Sequence, residues 1–302
     1  MADQTAEIRR PADSLAADED FASIKVRPLS GALGAEISGV DLARPLGNSL
    51  FAEIHRAFMR YQVIFFRDQV LTQEQHMEFS ARFGALQVIP FVKGMDEHPE
   101  IIAVVKEAEE RHTYNFGGKW HSDLSFQEAP PLGSALYARD VPDFGGDTMW
   151  CNMYGAYEHL SPGLRRLLDG LTAVHSARRS YGPQGQFRND DIKSMSIVNS
   201  TAALSETEHP VVRTHPETGR KCLFVNPVYT IRFKDMTEEE SRPLLRFLQE
   251  QAVQPENTCR FRWTRGTLAL WDNRCTQHLA LNDYDGQRRE MNRTTITGDR
   301  PY

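Results

Sequence analysis

The sequence predicts one mainly β domain, a barrel or sandwich with helical insertions. Many short apolar or alternating runs are separated by turn signals, and only a few segments carry apolar residues at helical spacing. Neither glycine-rich nucleotide-binding motif, G-x-G-x-x-G or G-x-x-x-x-G-K-S/T, follows a predicted strand. The length of 302 residues suits two domains or one large β domain. Because no linker interrupts the pattern, we favour one β domain over a doubly wound α/β fold.

The N-terminal third alternates between strands and helices. Residues 1–22 are rich in Ala, Asp and Glu, so we expect a flexible tail ahead of a single domain over residues 23–302. Helical spacing predicts a helix over residues 50–61, and Thr72 is the expected N-cap of a second helix that ends at Gly84. The strands expected here cover residues 24–29, 31–39 and 62–67.

Beyond Gly84 the chain is rich in predicted strands. Two helical interruptions are expected over residues 153–168 and 237–252, and the second opens like a capping box at Thr237. Residues 216–219, Pro-Glu-Thr-Gly, predict a hairpin turn. The expected strands cover residues 101–105, 120–126, 134–139, 148–151, 171–176, 211–215, 221–225, 258–263, 267–271 and 293–297.

Composition argues against several classes of function. Lys and Arg total 35 against 41 Asp and Glu, and a net charge of −6 is unlike that of a nucleic-acid-binding protein. The longest apolar runs fall far short of the roughly 20 residues that span a membrane, and no secretory signal pattern is present. The four cysteines are widely spaced, as free thiols of a reducing compartment are. We expect a soluble cytoplasmic protein without nucleic-acid or membrane partners.

One short motif stands out as a candidate metal site. Trp120-His121-Ser122-Asp123 places an imidazole and a carboxylate two residues apart on an expected strand, where both side chains share a face. These are two of the three ligands of a 2-His-1-carboxylate triad, which binds Fe(II) and leaves positions open for other ligands. The alternative interpretation is an ordinary His–Asp ion pair, because such a motif also arises by chance.

A second group of residues follows far along the chain. His278 comes shortly after Trp271-Asp272-Asn273-Arg274, and distant strands of a closed β fold can bring it to His121 and Asp123. Arg289 and Arg293 would share a face of an extended segment, and guanidinium groups keep their charge when buried and bind carboxylates. The alternative is a solvated basic stretch, the interpretation we prefer for Arg288.

Four groups of residues together carry a family resemblance. They are Trp120-His121-x-Asp123, Gly145-Gly146-Asp147-Thr148, Trp271-Asp272-Asn273-Arg274, and His278 with Arg289 and Arg293. In this order and spacing, and over about residues 26–301, they resemble the TauD/TfdA family of Fe(II)- and 2-oxoglutarate-dependent dioxygenases. The resemblance implies a double-stranded β-helix, or jelly roll. It also implies that 2-oxoglutarate and O2 are consumed to hydroxylate a C–H bond, with release of succinate and CO2.

The resemblance also implies roles for individual residues. His121, Asp123 and His278 would bind the iron. Thr148 and Arg289 would bind the distal carboxylate of 2-oxoglutarate, and Trp263 would pack beside this cosubstrate. Arg293 would lie near the C1 carboxylate and the anionic group of the substrate.

The substrate is expected to be a small, hydrophobic or aromatic organic acid. Taurine dioxygenases carry a His and a Tyr where this chain has Ile89 and Val92, and an Asn where it has Gly117. Residues 89–93, 214–221 and 225–229, the last including Tyr229, instead resemble the (R)-phenoxypropionate, or aryloxyalkanoate, dioxygenases. Such an enzyme cleaves an ether after hydroxylation. Ile89, Val92, Tyr229 and Arg293 are therefore the candidate substrate residues, although Ile89 and Val92 could equally be core residues.

Three alternatives stay open at this point. The substrate could be an alkylsulfonate of the taurine type or an alkylsulfate. The chain could be a jelly-roll binding protein without catalysis, or a zinc hydrolase, which would leave Thr148 and Arg289 without a role. We further expect a homo-oligomer, between a dimer and a tetramer.

Overall fold

Two facing β-sheets form the body of the fold in the computed structural model. The structure describes residues 21–110, 115–187 and 194–302, so nearly all of the predicted tail over residues 1–22 lies outside the described residues. The described strands are β1 (Lys25–Pro28), β2 (Ala35–Ser38), β3 (Val63–Phe66), β4 (Ile101–Lys106), β5 (Gly133–Asp140), β6 (Thr148–Asn152), β7 (Thr172–Ser176), β8 (Glu206–Pro210), β9 (Val212–Thr214), β10 (Lys221–Leu223), β11 (Thr230–Phe233), β12 (Thr258–Phe261), β13 (Leu268–Asp272), β14 (Thr276–Ala280) and β15 (Arg289–Ile296). The described α-helices are α1 (Asn48–Tyr61), α2 (Gln73–Ala81), α3 (Met153–Glu158), α4 (Pro162–Leu168), α5 (Arg178–Tyr181) and α6 (Glu238–Ala252).

The larger sheet has the order β1-β2-β3-β13-β5-β15-β4 within the described residues. Its neighbours are antiparallel except for β2 and β3, which are parallel. Strand β3 lies inside this sheet and is buried on both faces. Ile64 and Phe66 pack in the cluster that includes Phe58 of α1, whereas Val63 and Phe65 pack in the cluster between the sheets. This two-sided burial explains why the β3 sequence is a continuous apolar run.

The sheet β12-β6-β14 faces the larger one across an aromatic core. Phe65 of β3 stacks on Phe261 of β12 with ring centroids 3.8 Å apart. Strand β14 pairs antiparallel with β6, which brings the segments of His278 and Thr148 together in one small sheet. The chain passes from the larger sheet to this one through the short turn between β13 and β14. The predicted metal ligand His278 and the predicted cosubstrate residue Thr148 therefore share one wall.

The remaining elements pack around these two sheets. Helices α1 and α2 cover the outer face of the larger sheet, and α2 begins at the predicted N-cap Thr72 with a complete capping box to Gln75. Helices α3, α4 and α6 share a separate apolar cluster with β7, β9, β10 and β11. Thr237 caps α6, as predicted. No described helix is long and apolar enough to cross a membrane.

The main error of the sequence prediction concerns residues 120–126. Turns, not a strand, occupy this segment, and within it His121 alone forms a bridge, to His278. Leu124 has a φ of +48°, which a regular strand does not allow. Residues 121–125 are all buried, so burial does not alternate here as it does along a half-buried strand.

Several element boundaries also differ from the prediction. The helix expected over residues 153–168 is two helices, since Ser161 caps a new helix at Pro162. Helix α2 ends at Ala81, before Gly84. Strand β15 begins at Arg289 and is longer than the predicted strand over residues 293–297. Strands β8, β11 and β14 were missed.

Candidate metal centre

His121, Asp123 and His278 lie together in the interior. Their ligand atoms are all within 4.8 Å of one another, and all three residues are buried. The Asp123 Oδ1 atom is 3.6 Å from His121 Nε2 and 4.0 Å from His278 Nε2. Two imidazoles and one carboxylate are the donors of the triad that binds Fe(II), so this site fits that metal.

The His121–His278 pair is fixed by backbone hydrogen bonds. The His121 amide donates to the His278 carbonyl at 3.1 Å, and the His278 amide donates back at 2.9 Å. The Nδ1 atom of His121 lies 2.7 Å from the carbonyl of Lys119, which can only accept, so Nδ1 carries the proton. The Nε2 atom of His121 is therefore left with a free lone pair for a metal.

Asp123 is held in its charged form by its surroundings. Burial alone would raise its pKa, but the charge of Arg293, reinforced by His278 and His121 when these imidazoles are protonated, outweighs that effect and holds the pKa well below its usual range. Arg293 Nη1 lies 3.1 Å from Asp123 Oδ1, and the Ser134 hydroxyl donates to Oδ2 at 3.0 Å. Burial, together with the charge of His121, lowers the pKa of His278 to about 3. At neutral pH the Asp123 carboxylate is thus charged and His278 is neutral, which are the forms that bind metals.

A cavity extends from His121 and His278 of the triad to Arg289, and we call it the Arg289 cavity. Its lining includes His121, His278, Thr148, Arg289 and Arg293. Arg289 is 5% exposed, and its Nε and Nη2 atoms have no hydrogen-bond partner among the described residues. A buried guanidinium without a carboxylate partner is costly. This arrangement fits an anionic ligand that enters the cavity.

Trp263 contacts the two polar residues Thr148 and Arg289 of the Arg289 cavity without lining the cavity itself. Its indole Nε1 donates to the Thr148 hydroxyl oxygen at 3.0 Å, so the Thr148 proton is free to be donated elsewhere. The Trp263 ring lies 5.9 Å from the Arg289 guanidinium carbon. Trp263 is not among the residues that line the cavity, although the sequence prediction put it beside the cosubstrate.

A second cavity adjoins the triad, and we call it the Tyr229 cavity. It shares Phe116, Gly117, His121 and Arg293 with the Arg289 cavity. Its lining combines aromatic and apolar side chains with polar ones, and the polar ones include Asn115, Lys119, Asp123, Ser180 and Gln186. The lining includes Phe116, Leu124, Tyr181, Phe187, Val228 and Tyr229.

The predicted substrate residues separate into two groups. Tyr229 and Arg293 line the Tyr229 cavity, whereas Ile89 and Val92 do not. Ile89 and Val92 are 5% and 4% exposed and lie in the apolar cluster that also contains Leu124 and Tyr229. Because Leu124 and Tyr229 of this cluster also line the cavity, a substrate role of Ile89 and Val92 stays a prediction, with the core as the stated alternative.

A second group of potential ligands is fully occupied by its own contacts. His215, Asp272 and Cys275 also lie within 4.8 Å of one another. However, Arg274 donates to both carboxylate oxygens of Asp272, at 2.9 and 2.7 Å, and His215 Nε2 lies 2.9 Å from Oδ2. Because Arg274 engages both Asp272 oxygens and burial raises the pKa of the Cys275 thiol, we assign this cluster to a structural network.

Sequence reasoning missed several residues of the site. Ser134 and Asn273 contact Asp123, and Phe116, Tyr181 and Phe187 line the Tyr229 cavity. Asn273 lies in the quoted Trp-Asp-Asn-Arg motif, so the motif itself was a signal that had no assigned role. Phe116 and Phe187 lie in loops and Tyr181 ends the short helix α5, where neither periodicity nor spacing points to a function.

The fold and site define a class of protein. Facing β-sheets that hold two histidines and a carboxylate beside a buried arginine are typical of non-haem iron oxygenases that use a 2-oxo acid. The chain belongs to the TauD/TfdA family, because the family profile described as "Taurine catabolism dioxygenase TauD, TfdA family" matches residues 25–295. The predicted family is thus confirmed, and the chain is an Fe(II)- and 2-oxoglutarate-dependent dioxygenase.

Individual relatives differ in the substrates that their names state. The chain is 36% identical to a protein of Acinetobacter baylyi named alkylsulfatase, over 91% of this chain and 86% of the relative. It is 33% identical to the alpha-ketoglutarate-dependent 2,4-dichlorophenoxyacetate dioxygenase of Cupriavidus pinatubonensis, over 92% and 99%. A solved structure described as a taurine dioxygenase from Burkholderia xenovorans is 40% identical and superposes with a TM-score of 0.77 over 93% and 91%. That structural likeness confirms the predicted jelly-roll fold.

Proposed function

We propose that His121, Asp123 and His278 bind the iron and that Arg289 and Thr148 bind the distal carboxylate of 2-oxoglutarate. The observation that carries this proposal is the buried Arg289, which has two nitrogens without a partner among the described residues and lines the same cavity as His121 and His278. A dicarboxylic 2-oxo acid has one carboxylate for the arginine and a 2-oxo carboxylate for the metal. The iron with its bound 2-oxo acid supplies the oxidation of an unactivated C–H bond by O2.

The residues of the chain select and orient the reactants. Arg289 and Thr148 supply a charge and a hydroxyl donor to one carboxylate, and Trp263 keeps the Thr148 hydroxyl in place. Arg293 lines both cavities, so its charge is available to an anion in either cavity. The aromatic walls of the Tyr229 cavity exclude water from the substrate C–H bond.

We further propose that the substrate is a hydrophobic organic acid whose target carbon carries an ether oxygen, as in an aryloxyalkanoate. Support comes from Phe116, Phe187 and Tyr229, whose aromatic side chains line the cavity and suit an aryl group, while Arg293 offers a charge to its carboxylate. Hydroxylation of the carbon beside the ether oxygen gives a hemiketal. This product collapses to a carbonyl compound and releases the phenol, which takes up the hydroxyl proton.

A sulfate ester is the second candidate, because the alkylsulfatase relative is 36% identical to this chain. Both candidates place an anion within a few bonds of an oxygen-bearing carbon, so the same chemistry would release sulfate instead of phenol. Taurine is a weaker candidate, since its only apolar part is two methylene groups, which are small for the aromatic side chains of the cavity.

A screen for succinate release separates these candidates. The enzyme with Fe(II), 2-oxoglutarate and O2 would be incubated with phenoxypropionate enantiomers, hexyl sulfate, hexanesulfonate and taurine. We expect the highest kcat/KM with an aryloxyalkanoate, and equimolar phenol and succinate. Faster turnover of hexyl sulfate would favour the second candidate. If no anion gives succinate, the result would favour the alternative of a jelly-roll binding protein without catalysis. Restoration of activity by Zn(II) instead of Fe(II) would favour a hydrolase.

Three further predictions accompany this proposal. The four cysteines are buried and unpaired, which supports a reducing cytoplasmic compartment. The homo-oligomer stays a prediction that light scattering on the purified protein would test. The single domain over residues 23–302 also stays a prediction, and a single cooperative unfolding transition would support it.

A further inference from the structure

We propose that Asn273 is a positioning residue for the iron, because its side-chain amide fixes the backbone of the ligand Asp123. This proposal rests on the assignment of His121, Asp123 and His278 as iron ligands. Asn273 does not contact the cavities described above, so its role is to hold the ligand and not to touch the reactants.

The Asn273 amide forms hydrogen bonds with both backbone groups of Asp123. Asn273 Oδ1 accepts from the Asp123 N–H at 2.6 Å, and Nδ2 donates to the Asp123 carbonyl at 2.9 Å. The same Nδ2 also donates to the Pro131 carbonyl at 3.2 Å. With 1% of its surface exposed, Asn273 uses its acceptor and both donors inside the protein.

The Asn273 amide gives the backbone of Asp123 the two hydrogen bonds that a neighbouring β-strand would otherwise form. The segment of Asp123 is a turn, and the next residue, Leu124, is in the left-handed region with φ +48°. A non-glycine residue adopts this conformation only where its surroundings hold it there. The two hydrogen bonds from Asn273 supply that restraint next to the metal ligand.

The pairing also joins the two parts of the metal site. Asn273 lies in the turn between β13 and β14, five residues before His278 of β14. The amide therefore fixes the segment that carries Asp123 against the turn that leads into the strand of His278. Residues that orient metal ligands in this way affect metal affinity by about 10- to 100-fold when removed.

Asn257 provides a matched control. It is 3% exposed, and its Nδ2 donates to the carbonyls of Asn152 and Ala252 at 2.8 and 2.6 Å. Like Asn273 it is a buried asparagine that bonds two backbone carbonyls, but none of its partners is a candidate metal ligand. Asn257→Ala therefore measures the general cost of removing such an amide.

The test compares Fe(II) affinity with stability in full-length variants. Anaerobic equilibrium dialysis gives the Fe(II) Kd, and thermal unfolding of the metal-free protein gives Tm. We expect both alanine variants to have a lower Tm than the wild type. Only Asn273→Ala should also raise the Fe(II) Kd, by at least 10-fold when it is measured at a temperature where this variant is folded. A Kd within twofold of the wild type for folded Asn273→Ala overturns the proposal.

Two further measurements cover other outcomes. If Asn273→Ala does not fold, Asn273→Asp keeps an acceptor for the Asp123 N–H but loses the donors, and it should raise the Kd in the same way. If neither variant folds, unprotected hydrogen exchange at the Asp123 amide of the wild type would overturn the proposal, whereas strong protection would support it. Asp123→Ala separates the two assumptions: if this variant keeps wild-type Fe(II) binding, the ligand assignment fails and not the role of Asn273 alone.

Discussion

Replacing Arg289 by alanine tests the cosubstrate site in quantitative terms. Arg289 is buried, and burial lowers its pKa, an effect only partly countered by Tyr284 and Asp147. With Nε and Nη2 unpaired in the structure, the side chain can offer a carboxylate two charge-assisted hydrogen bonds. Leaving a buried charge without its partner costs about 3 kcal/mol or more. At about 1.4 kcal/mol per factor of ten, Arg289→Ala should raise the KM for 2-oxoglutarate roughly 100-fold.

The neighbouring Arg288 supplies the control for this prediction. It pairs at the surface with Glu107, Asp140 and Glu290, at 3.0, 3.1 and 2.7 Å. Surface pairs of this kind contribute about 0–1 kcal/mol. Arg288→Ala removes the same charge one residue away, so it should change the KM for 2-oxoglutarate less than about fivefold.

Succinate release at varied 2-oxoglutarate concentration is the assay, and a second 2-oxo acid sharpens it. A 2-oxo acid without the distal carboxylate lacks the group that Arg289 binds. It should be a poor cosubstrate for the wild type, and the Arg289→Ala enzyme should discriminate much less between the two acids, because removing both partners of a contact costs less than removing one. An unchanged KM for 2-oxoglutarate in Arg289→Ala would refute the assignment.

Three further predictions concern the same interior. Thr148→Val removes a hydroxyl donor to a carboxylate, so KM for 2-oxoglutarate should rise about 10-fold, and Trp263→Phe should have a smaller effect in the same assay; a KM unchanged in Thr148→Val would contradict the role of its hydroxyl. Arg293→Gln should reduce kcat/KM more for an anionic substrate than for its uncharged amide. An equal loss for both substrates would show that Arg293 acts only through its contact with Asp123. Burial lowers the pKa of His76 to about 4. Between pH 6.5 and 4 the unfolded chain therefore binds the extra proton, and the free energy of unfolding should fall by up to about 1.4 kcal/mol per pH unit as the pH is lowered. His76→Gln should flatten that slope in urea unfolding, and an unaltered slope would contradict a neutral buried His76.

The elements that could be predicted from the sequence are those with strong local signals. The continuous apolar run of β3 predicts a strand that is buried on both faces, as it is here between two apolar clusters. The helix of residues 50–61 shows clear helical spacing of its apolar residues. Thr72 and Thr237 were predicted as N-caps because each side chain accepts a hydrogen bond from a backbone N–H only three residues along the chain. Such features depend on few long-range contacts.

Other elements depend on contacts that a local pattern does not contain. Strand β8 has one fully buried residue, His209, so its polar sequence carried no strand signal, but pairing with β7 still orders it. The turn at Asp123 looked like a strand because its alternation matched period two. Its actual conformation is set by Asn273, 150 residues away in the sequence.

The candidate site was predictable in its ligands but not in its walls. His121, Asp123, His278 and Arg289 were singled out by the order and spacing of the family motifs, and the structure brings them into one region. Ile89 and Val92 could be either core or cavity residues, because the apolar cluster that contains them also contains the lining residues Leu124 and Tyr229. The aromatic residues Phe116, Phe187 and Tyr229 of the Tyr229 cavity lie in loops or turns, whose path depends on the whole fold.

Anaerobic addition of 2-oxoglutarate to the Fe(II)-loaded protein is the most direct test of the central claim. A 2-oxo acid chelated to Fe(II) gives a weak charge-transfer band in the visible region. We predict this band for the wild type, its absence in His121→Ala, and its appearance in Arg289→Ala only at much higher 2-oxoglutarate. If the wild-type protein with Fe(II) shows no band at saturating 2-oxoglutarate, or if His121→Ala shows the same band, the account of this site is contradicted.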